Sequence, residues 1–489
     1  MVMKEELVKI VGKENVSNDP GSLESYAGDG KFVPHLKPWY IVKPQNAEQV
    51  QELVKLANKT GTPLVPVSSG APHYRGDSAP SVPGAVIVDL SGMKKILSIN
   101  KTHRMAVIEP GVTYGELQAA LKKEGLTIST SLAPRATKSV VSSVLETEPR
   151  LNSLHQWCFL DPLRCVEVTW GDGNRMFTGE AGNGVLDLKK QQEQEQWQWE
   201  PTGPMVFDFY RFLTGAQGTM GIVTWASVRC EIIHQVHKML IVPADKLEDL
   251  VDFSYRVLRL RFSEEFFLMN GTYLASLLGK TPEEIAALRA ELPKWVALVG
   301  VGGRDLLPEK RAEQQEADIS EIAQQFGLEM KNSVNGVKGS EVLDAALNPS
   351  GENYWKETLK GSFKDIAFAT TLDNAGKYID TMYKLAKEAN YSESDIGVYL
   401  QPENMGTSYR CEFTLPYANN CDIETTRMQK LFTKASTELS AMGAYFIRPY
   451  GIWAKLQLNR DAQSMSVLKD LKCIFDPNSV MNPRKLINY

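Results

Sequence analysis

Apolar residues recur along this chain at two spacings, and the alternation between them lays out its elements. Residues 4–11 and 47–60 carry them at helical spacing; in the second segment Val50, Leu53, Val54 and Ala57 share one face and Asn46 is placed to cap it. Between these helices, Trp39-Tyr40-Ile41-Val42 before Lys43-Pro44 reads as a strand ending in a turn. Leu64-Val65-Pro66-Val67 then enters a segment of Ser, Gly, Ala, Pro and His, which exits through the β-branched run 85–90. That pattern predicts strand, tight polar loop, strand. Residues 105–113 form a strand running into a turn, and 114–124 an amphipathic helix with Leu117 and Leu121 buried and Gly125 as its stop.

Residues 164–170 are an apolar strand that turns at Gly171-Asp172-Gly173 into 174–178, a hairpin. The Gln/Glu-rich stretch 181–204 reads as a mobile insertion. A glycine cluster at 215–221 leads into another strand. Beyond about residue 233 strands and helices alternate in two similar rounds. The first holds strands 239–242, 265–269 and 295–300 with helices 246–258, 282–292 and 308–326; the second holds strands 365–371, 396–401 and 409–415 with helices 374–389 and 423–442. This predicts an α+β domain, an antiparallel sheet with helices on one side. Gly300-Val301-Gly302-Gly303 lacks the third glycine of a dinucleotide fingerprint and reads as a turn.

A chain of 489 residues is expected to divide into two or three domains, and 43% hydrophobic with 23% charged residues is the composition of a globular protein. A net charge of -5 gives no footprint for nucleic acid or an anionic membrane. The N-terminal stretch is polar and amphipathic, without a secretory core, and no run approaches the ~18 apolar residues of a spanning helix. The expected location is cytoplasmic. Cys158, Cys165, Cys230, Cys411, Cys421 and Cys473 are scattered without CxxC spacing, which argues against a zinc site or an iron–sulfur cluster. His234 and His237 stand three apart, but no nearby carboxylate or cysteine in the sequence completes a set, so no metal site is expected.

The candidate chemistry lies in the loops. Ser68, Ser69, Gly70 and Ala71 carry so little side-chain bulk that main-chain N–H groups can close on a phosphate, an anion nest that needs no lysine. With the small-residue segment from Pro134 and the glycine cluster at 215–221, three such turns form one extended cofactor cradle, none of them a Walker or Rossmann loop.

At these residues the chain resembles the flavoproteins of the vanillyl-alcohol oxidase / p-cresol methylhydroxylase superfamily. GDSAPSVPGAVIVDL is similar to that family's GGxAPxVxGxVVLDL, and AVIEPGVTYGEL to its AVVEPGVTxxxL. SVVSSVLE stands in the place of SVLGNAxE, GAQGTMGIVT fits the glycine turn before a strand, and FDPNSVMNPRKL is similar to the terminal DPNxIxNPGK. The matches fall in order and reach both ends of the chain. The resemblance implies a bipartite FAD-binding domain over residues 1–232, split near residue 98. It further implies a substrate or cap domain over 233–440 and a C-terminal segment, 441–489, returning to the FAD domain. FAD would lie extended, contacted by Pro66, Ser68, Ser69, Gly70, Ala71, Pro72, His73 and Ser78 of the first loop. Pro134, Thr137, Lys138, Ser139, Ser142 and Ser143 would hold it from the other side, with Gly221, Ile222, Val223 and Asn482 completing the cradle.

Three departures qualify that expectation. Ser142-Ser143 replace the family's Gly-Asn. Counting to the shared Gly76, Pro72 stands where the berberine-type branch has its flavin-linking histidine, with His73 one residue off, so FAD is expected to be non-covalent. The HGDxNxH of lactate- and glycolate-dehydrogenase relatives has no counterpart near residues 401–417, which counts against a metal-assisted hydroxy-acid mechanism.

The resemblance also suggests the reacting groups. Tyr409-Arg410 stand about where the vanillyl-alcohol branch has paired histidines. Arg448-Pro449-Tyr450-Gly451 resembles that branch's Arg-Pro-Tyr-Arg, whose tyrosine binds the substrate phenolate. Gly451 replaces the second arginine, a loss that Arg410 would make good electrostatically. Trp453, Lys455, Asn459 and Arg460 are expected on the same returning strand, and Asp461 at the cap of the next helix. The implied activity is an FAD-dependent oxidoreductase taking a hydride from an alcohol, p-alkylphenol or 2-hydroxy acid, with Tyr450, Tyr409 and Arg410 as catalytic candidates. Electrons would leave to O2 or to a protein such as an electron-transfer flavoprotein or iron–sulfur subunit, and a homo-oligomer is compatible with this. The alternative is a non-catalytic or electron-relay subunit of a larger redox complex.

Overall fold

The computed structural model of the protein describes residues 2–28, 32–152, 161–351 and 354–486; Cys158 lies outside them. Three sheets carry the fold. In the first the order is Val16–Ser17, Tyr40–Val42, Val86–Asp89, Leu64–Val67, with the last three strands parallel. Parallel strands are covered on both faces, so they read as continuous apolar runs, and every residue of Val86–Asp89 is buried. Helix Ala47–Thr60 covers one face through Val50, Leu53, Val54 and Ala57. The Asn46 carboxamide accepts from Gln49 N at 2.9 Å to start this helix, and Gly61 at φ 66° ends it.

The second sheet is antiparallel, in the order Ile96–Asn100, Met105–Ile108, Gly221–Arg229, Leu163–Trp170, Arg175–Phe177. Helix Tyr114–Lys123, held by a Thr113/Glu116 capping box, packs Leu117 and Leu121 onto it. The C-terminal segment joins the first sheet: Leu64 N donates to Val480 O and Asn482 N to Leu64 O, both at 2.8 Å.

The third sheet has six antiparallel strands in the order Val236–Ala244, Trp295–Gly303, Phe266–Asn270, Gly397–Glu403, Ser408–Tyr417, Ser362–Thr370. Helices Glu248–Leu260, Leu372–Glu388 and Asp422–Ala441 pack on one face, but the helices are not confined to one side as expected: Gly271–Leu278, Pro282–Glu291 and Gly339–Leu347 cover part of the other through Met239, Ile241, Phe267 and Met269. Along Ser408–Tyr417 side chains alternate. Tyr409, Cys411, Phe413 and Leu415 enter that helical core, while Arg410, Glu412 and Thr414 lie on the other face. Polar groups on the second face roof the site described below.

Four local expectations are corrected. Residues 181–204 are packed rather than mobile: helix Leu188–Glu193 lies within them, Gln191 and Gln198 are fully buried, and Gln191 Nε2 donates to Ala181 O and Val185 O, each at 2.8 Å. Glutamine here supplies internal hydrogen bonds in place of apolar contact. Residues 300–303 continue a strand paired with Val236–Ala244, and the glycines there answer to close neighbours rather than to a turn: a Cβ on Gly300 would stand 2.1 Å from Glu265 Oε2 and one on Gly302 2.6 Å from the His234 ring. Ile452–Leu458 is a helix, not a strand, so Trp453 and Lys455 are helical and Asn459 is its C-cap. His234 and His237 do meet carboxylates through the fold, Glu264 at 3.2 Å and Glu265 at 2.8 Å. Even so, no group of three or more His, Cys, Asp and Glu among the described residues is placed to hold a metal ion. No described helix is long and apolar enough to cross a membrane.

Candidate active site

A cavity of about 470 Å³ lies where the loop ends of the first two sheets meet the polar face of the third. Its floor starts in the loop after Leu64–Val67, from which Ser68, Ser69, His73, Arg75, Asp77 and Ser78 line it. Within the described residues, no main-chain N–H of residues 68–71 or 73–78 has a hydrogen-bond acceptor. Those of Ser68, Ser69, His73, Arg75, Asp77 and Ser78 belong to cavity-lining residues and are the donors that a bound diphosphate would use. His73 Nε2 is buried without a partner, and burial pulls its pKa below the ordinary histidine value, keeping the ring neutral.

The second loop contributes differently from the first. Its main-chain N–H groups are taken up inside the protein, Ala136 N by Ser350 O, Lys138 N by Arg135 O and Ser139 N by Ser69 Oγ. Ser139 caps helix Val140–Leu145, accepts from Ser68 Oγ at 3.2 Å and donates to Pro110 O at 2.5 Å, so it fastens the two loops together from behind. Lys138, Pro134 and Ser142 line the cavity; Thr137 is exposed outside it. The Ser142-Ser143 replacement leaves the cradle open. Ser142 Oγ turns back onto Glu146 at 2.6 Å, and Ser143 is buried behind the wall, accepting from Tyr114 Oη and donating to Glu148.

Of the other expected cofactor contacts, Pro66, Gly221, Ile222 and Val223 line the cavity, whereas Gly70, Ala71 and Pro72 stand outside its lining. A Cβ on Gly221 would come 2.6 Å from Thr169 O and one on Gly218 2.4 Å from the Pro66 ring, so the glycine turn packs closely on strands Leu163–Trp170 and Leu64–Val67, the latter leading into the first loop. Asn482 is buried behind that contact, its Nδ2 donating to Asp77 O at 3.0 Å and Gln217 O at 2.7 Å. It joins the two turns rather than lining the cavity.

At the far end stands a charge cluster that spacing alone did not reveal. Glu146 accepts from Lys138 Nζ at 2.7 Å, Arg448 Nη2 at 3.0 Å and Arg75 Nη1. Glu148 accepts from Arg75 Nη1 at 2.9 Å. Burial by itself would raise the Glu146 carboxyl, but Lys138 and Arg75 outweigh it and hold the pKa at about 2. The same balance of burial against Lys138, Arg75 and Arg448 holds Glu148 well below the carboxylate range. Tyr450 lies against this cluster, accepting from Arg448 Nη2 at 3.4 Å with the Arg75 guanidinium 5.7 Å from its ring centre. Burial first, then Glu146, pushes the Tyr450 phenol above its ordinary value against the pull of Arg448, so it stays protonated.

From the roof, Arg410 reaches the cavity with Nε and Nη2 bonded to Glu412 Oε2 at 3.1 and 2.6 Å. Tyr409 does not. As the next residue on the strand it points to the opposite face, where it is fully buried and 6.1 Å from the Tyr255 ring. Trp453 lines the cavity and donates Nε1 to Ser436 Oγ at 2.8 Å; Lys455, Asn459 and Arg460 lie outside it, and Asp461 caps helix Ala462–Phe475.

The FAD binding domain family matches residues 38–156, the stretch that holds the first two loops. Over 99% of its length the chain is 23% identical to the D-2-hydroxyglutarate dehydrogenase of Stutzerimonas stutzeri strain A1501, of which it covers 98%. It superimposes on the crystal structure of p-cresol methylhydroxylase with substrate bound at a TM-score of 0.83 with 17% identity, over 99% of this chain and 96% of that one. The 4-ethylphenol oxidase of Gulosibacter chungangensis in its isoeugenol complex gives the same TM-score of 0.83 at 18% identity, with the same 99% and 96% coverage. The donors lining the floor, the glycine turn beside them and the roofed cavity beyond fit FAD; the chain carries an FAD binding domain over residues 38–156, and its fold is that of p-cresol methylhydroxylase and 4-ethylphenol oxidase.

Proposed function

We propose that this enzyme takes a hydride from an alcohol, p-alkylphenol or 2-hydroxy acid and passes the electrons to a protein acceptor or O2. One observation carries the reading: a single cavity is lined both by first-loop residues with open main-chain donors, Ser68, Ser69, His73, Arg75, Asp77 and Ser78, and, beyond them, by Tyr450 and Arg410. Residues 1–232 with the tail 441–489 form the FAD-binding part on this reading, and 233–440 its roof. The main-chain donors of the first loop hold the diphosphate, and bound FAD supplies the hydride acceptor. Pro72 at the linking position favours non-covalent attachment, for which acid precipitation that leaves the flavin in the supernatant is the test.

The donor's oxygen is the atom on which negative charge grows as hydride leaves carbon. Tyr450, kept protonated, donates a hydrogen bond there, and Arg448 fixes the phenol's orientation. Arg410 adds positive charge from the roof, and a donor fixed where charge develops is typically worth ~3 kcal/mol of barrier. The cationic groups around Glu146 and Glu148 keep those carboxylates from opposing this charge. Anaerobic mixing of the purified flavoprotein with a panel of p-alkylphenols, aliphatic alcohols and 2-hydroxy acids tests the reading: bleaching of the flavin bands by one class is expected. A protein that stays oxidised with every donor would favour the relay subunit instead.

A further inference from the structure

Behind the cavity roof, outside its lining, lies a lysine that the account above does not use. Lys356 is buried, its ammonium 5.5 Å from the ring centres of Trp355 and Phe363 and 5.6 Å from that of Tyr273. Its charged partners are Glu412 Oε1 at 2.5 Å and Asp365 Oδ2 at 2.8 Å. Tyr273 Oη donates to the same Glu412 oxygen at 3.0 Å, while the other oxygen, Oε2, takes both bonds from Arg410. The Arg410 fork spends Nε and Nη2 on that oxygen, which leaves Nη1 for a ligand. Asp365 is fixed in turn by Thr414 Oγ1 at 2.7 Å, so each carboxylate beneath the roof has one definite orientation.

A buried ion pair gains little net stability over an apolar replacement, so this arrangement is better read as orientation than as glue. We propose that Lys356 is a positioning residue: through Glu412 it holds the Arg410 guanidinium against the cavity, so that a carboxylate or phenolate on the donor meets a fixed cation. Without the ammonium, Glu412 Oε1 keeps only a neutral phenol, the carboxylate is free to turn, and Arg410 loses its defined fork. The inference rests on the reading of Arg410 given above.

The test uses the FAD-loaded protein with benzoate as a carboxylate probe, followed by perturbation of the flavin spectrum, with FAD content and Tm recorded for each variant. Arg410→Met is expected to weaken benzoate binding at least about tenfold, and Lys356→Met to match it with FAD content unchanged. Lys356→Arg keeps the charge and is expected to return binding to within about threefold of the unaltered protein. If Lys356→Met does not fold, Glu412→Gln carries the same expectation as Arg410→Met. Undiminished binding in Lys356→Met or Glu412→Gln, beside weakened binding in Arg410→Met, overturns the positioning role alone. A Lys356→Arg variant as weak as Lys356→Met reduces Lys356 to packing and overturns it too. Undiminished binding in Arg410→Met, or no benzoate binding by the unaltered protein, overturns the reading of Arg410 itself.

Discussion

Glu146 is the residue on which most of the site's charge converges, with Arg75, Lys138 and Arg448 all bonded to it. Its pKa is lowered from 4.5 to about 2, so the stability it contributes is fully present above pH 4.5 and is lost as pH falls toward 2. Over that window the unaltered protein should lose on the order of a few kcal/mol, read as a falling Tm. Glu146→Gln should be less stable at neutral pH and show a flatter acid limb; an acid limb equal to that of the unaltered protein would contradict the cluster. Little of this was legible in the sequence. Arg75, Glu146 and Arg448 lie in three separate segments, and neither spacing nor periodicity announces a contact made only by the fold. Tyr409 failed for a simpler reason: consecutive strand residues cannot share a face, so Tyr409 and Arg410 could not both have entered the cavity.

At the scale of elements, the sequence was most informative where the physics is local. The helix at 47–60 with its Asn46 cap, the strand-loop-strand at 64–90 and the hairpin after Leu163–Trp170 all follow from periodicity and turn residues, and all are present. What escaped were segments whose conformation is set by neighbours. Gly302 is glycine because the His234 ring stands against it, not because the chain turns there, and within 181–204 Gln191 and Gln198 are buried by the surrounding fold. Helix Val140–Leu145 shows how one side chain joins elements, since Ser139 both caps it and binds Ser68 and Pro110. Ser139→Ala should cost about 1–2 kcal/mol by denaturant unfolding and weaken FAD retention, because the first loop is no longer fastened to the second. Unchanged stability would mean that the helix start is held by other contacts.

Over the whole molecule, the two ends of the chain meet at the cofactor cradle. Strand Leu64–Val67 pairs with residues 480–482, and Asn482 bridges Asp77 and Gln217, which come from different sheets' loops. Asn482→Ala should weaken FAD about tenfold in equilibrium dialysis while leaving the hydride-transfer rate of the flavin-loaded fraction nearly unchanged. The third sheet brings Arg410 over the cavity, opposite the Tyr450 phenol carried by the C-terminal segment. The claim on which the rest depends is that Tyr450 stands where the donor loses its hydride. The direct measurement is the limiting rate of anaerobic flavin bleaching in Tyr450→Phe beside the unaltered protein, with FAD content checked in both. A rate lowered at least about tenfold with FAD fully retained is the predicted result, and an unchanged rate would contradict the account.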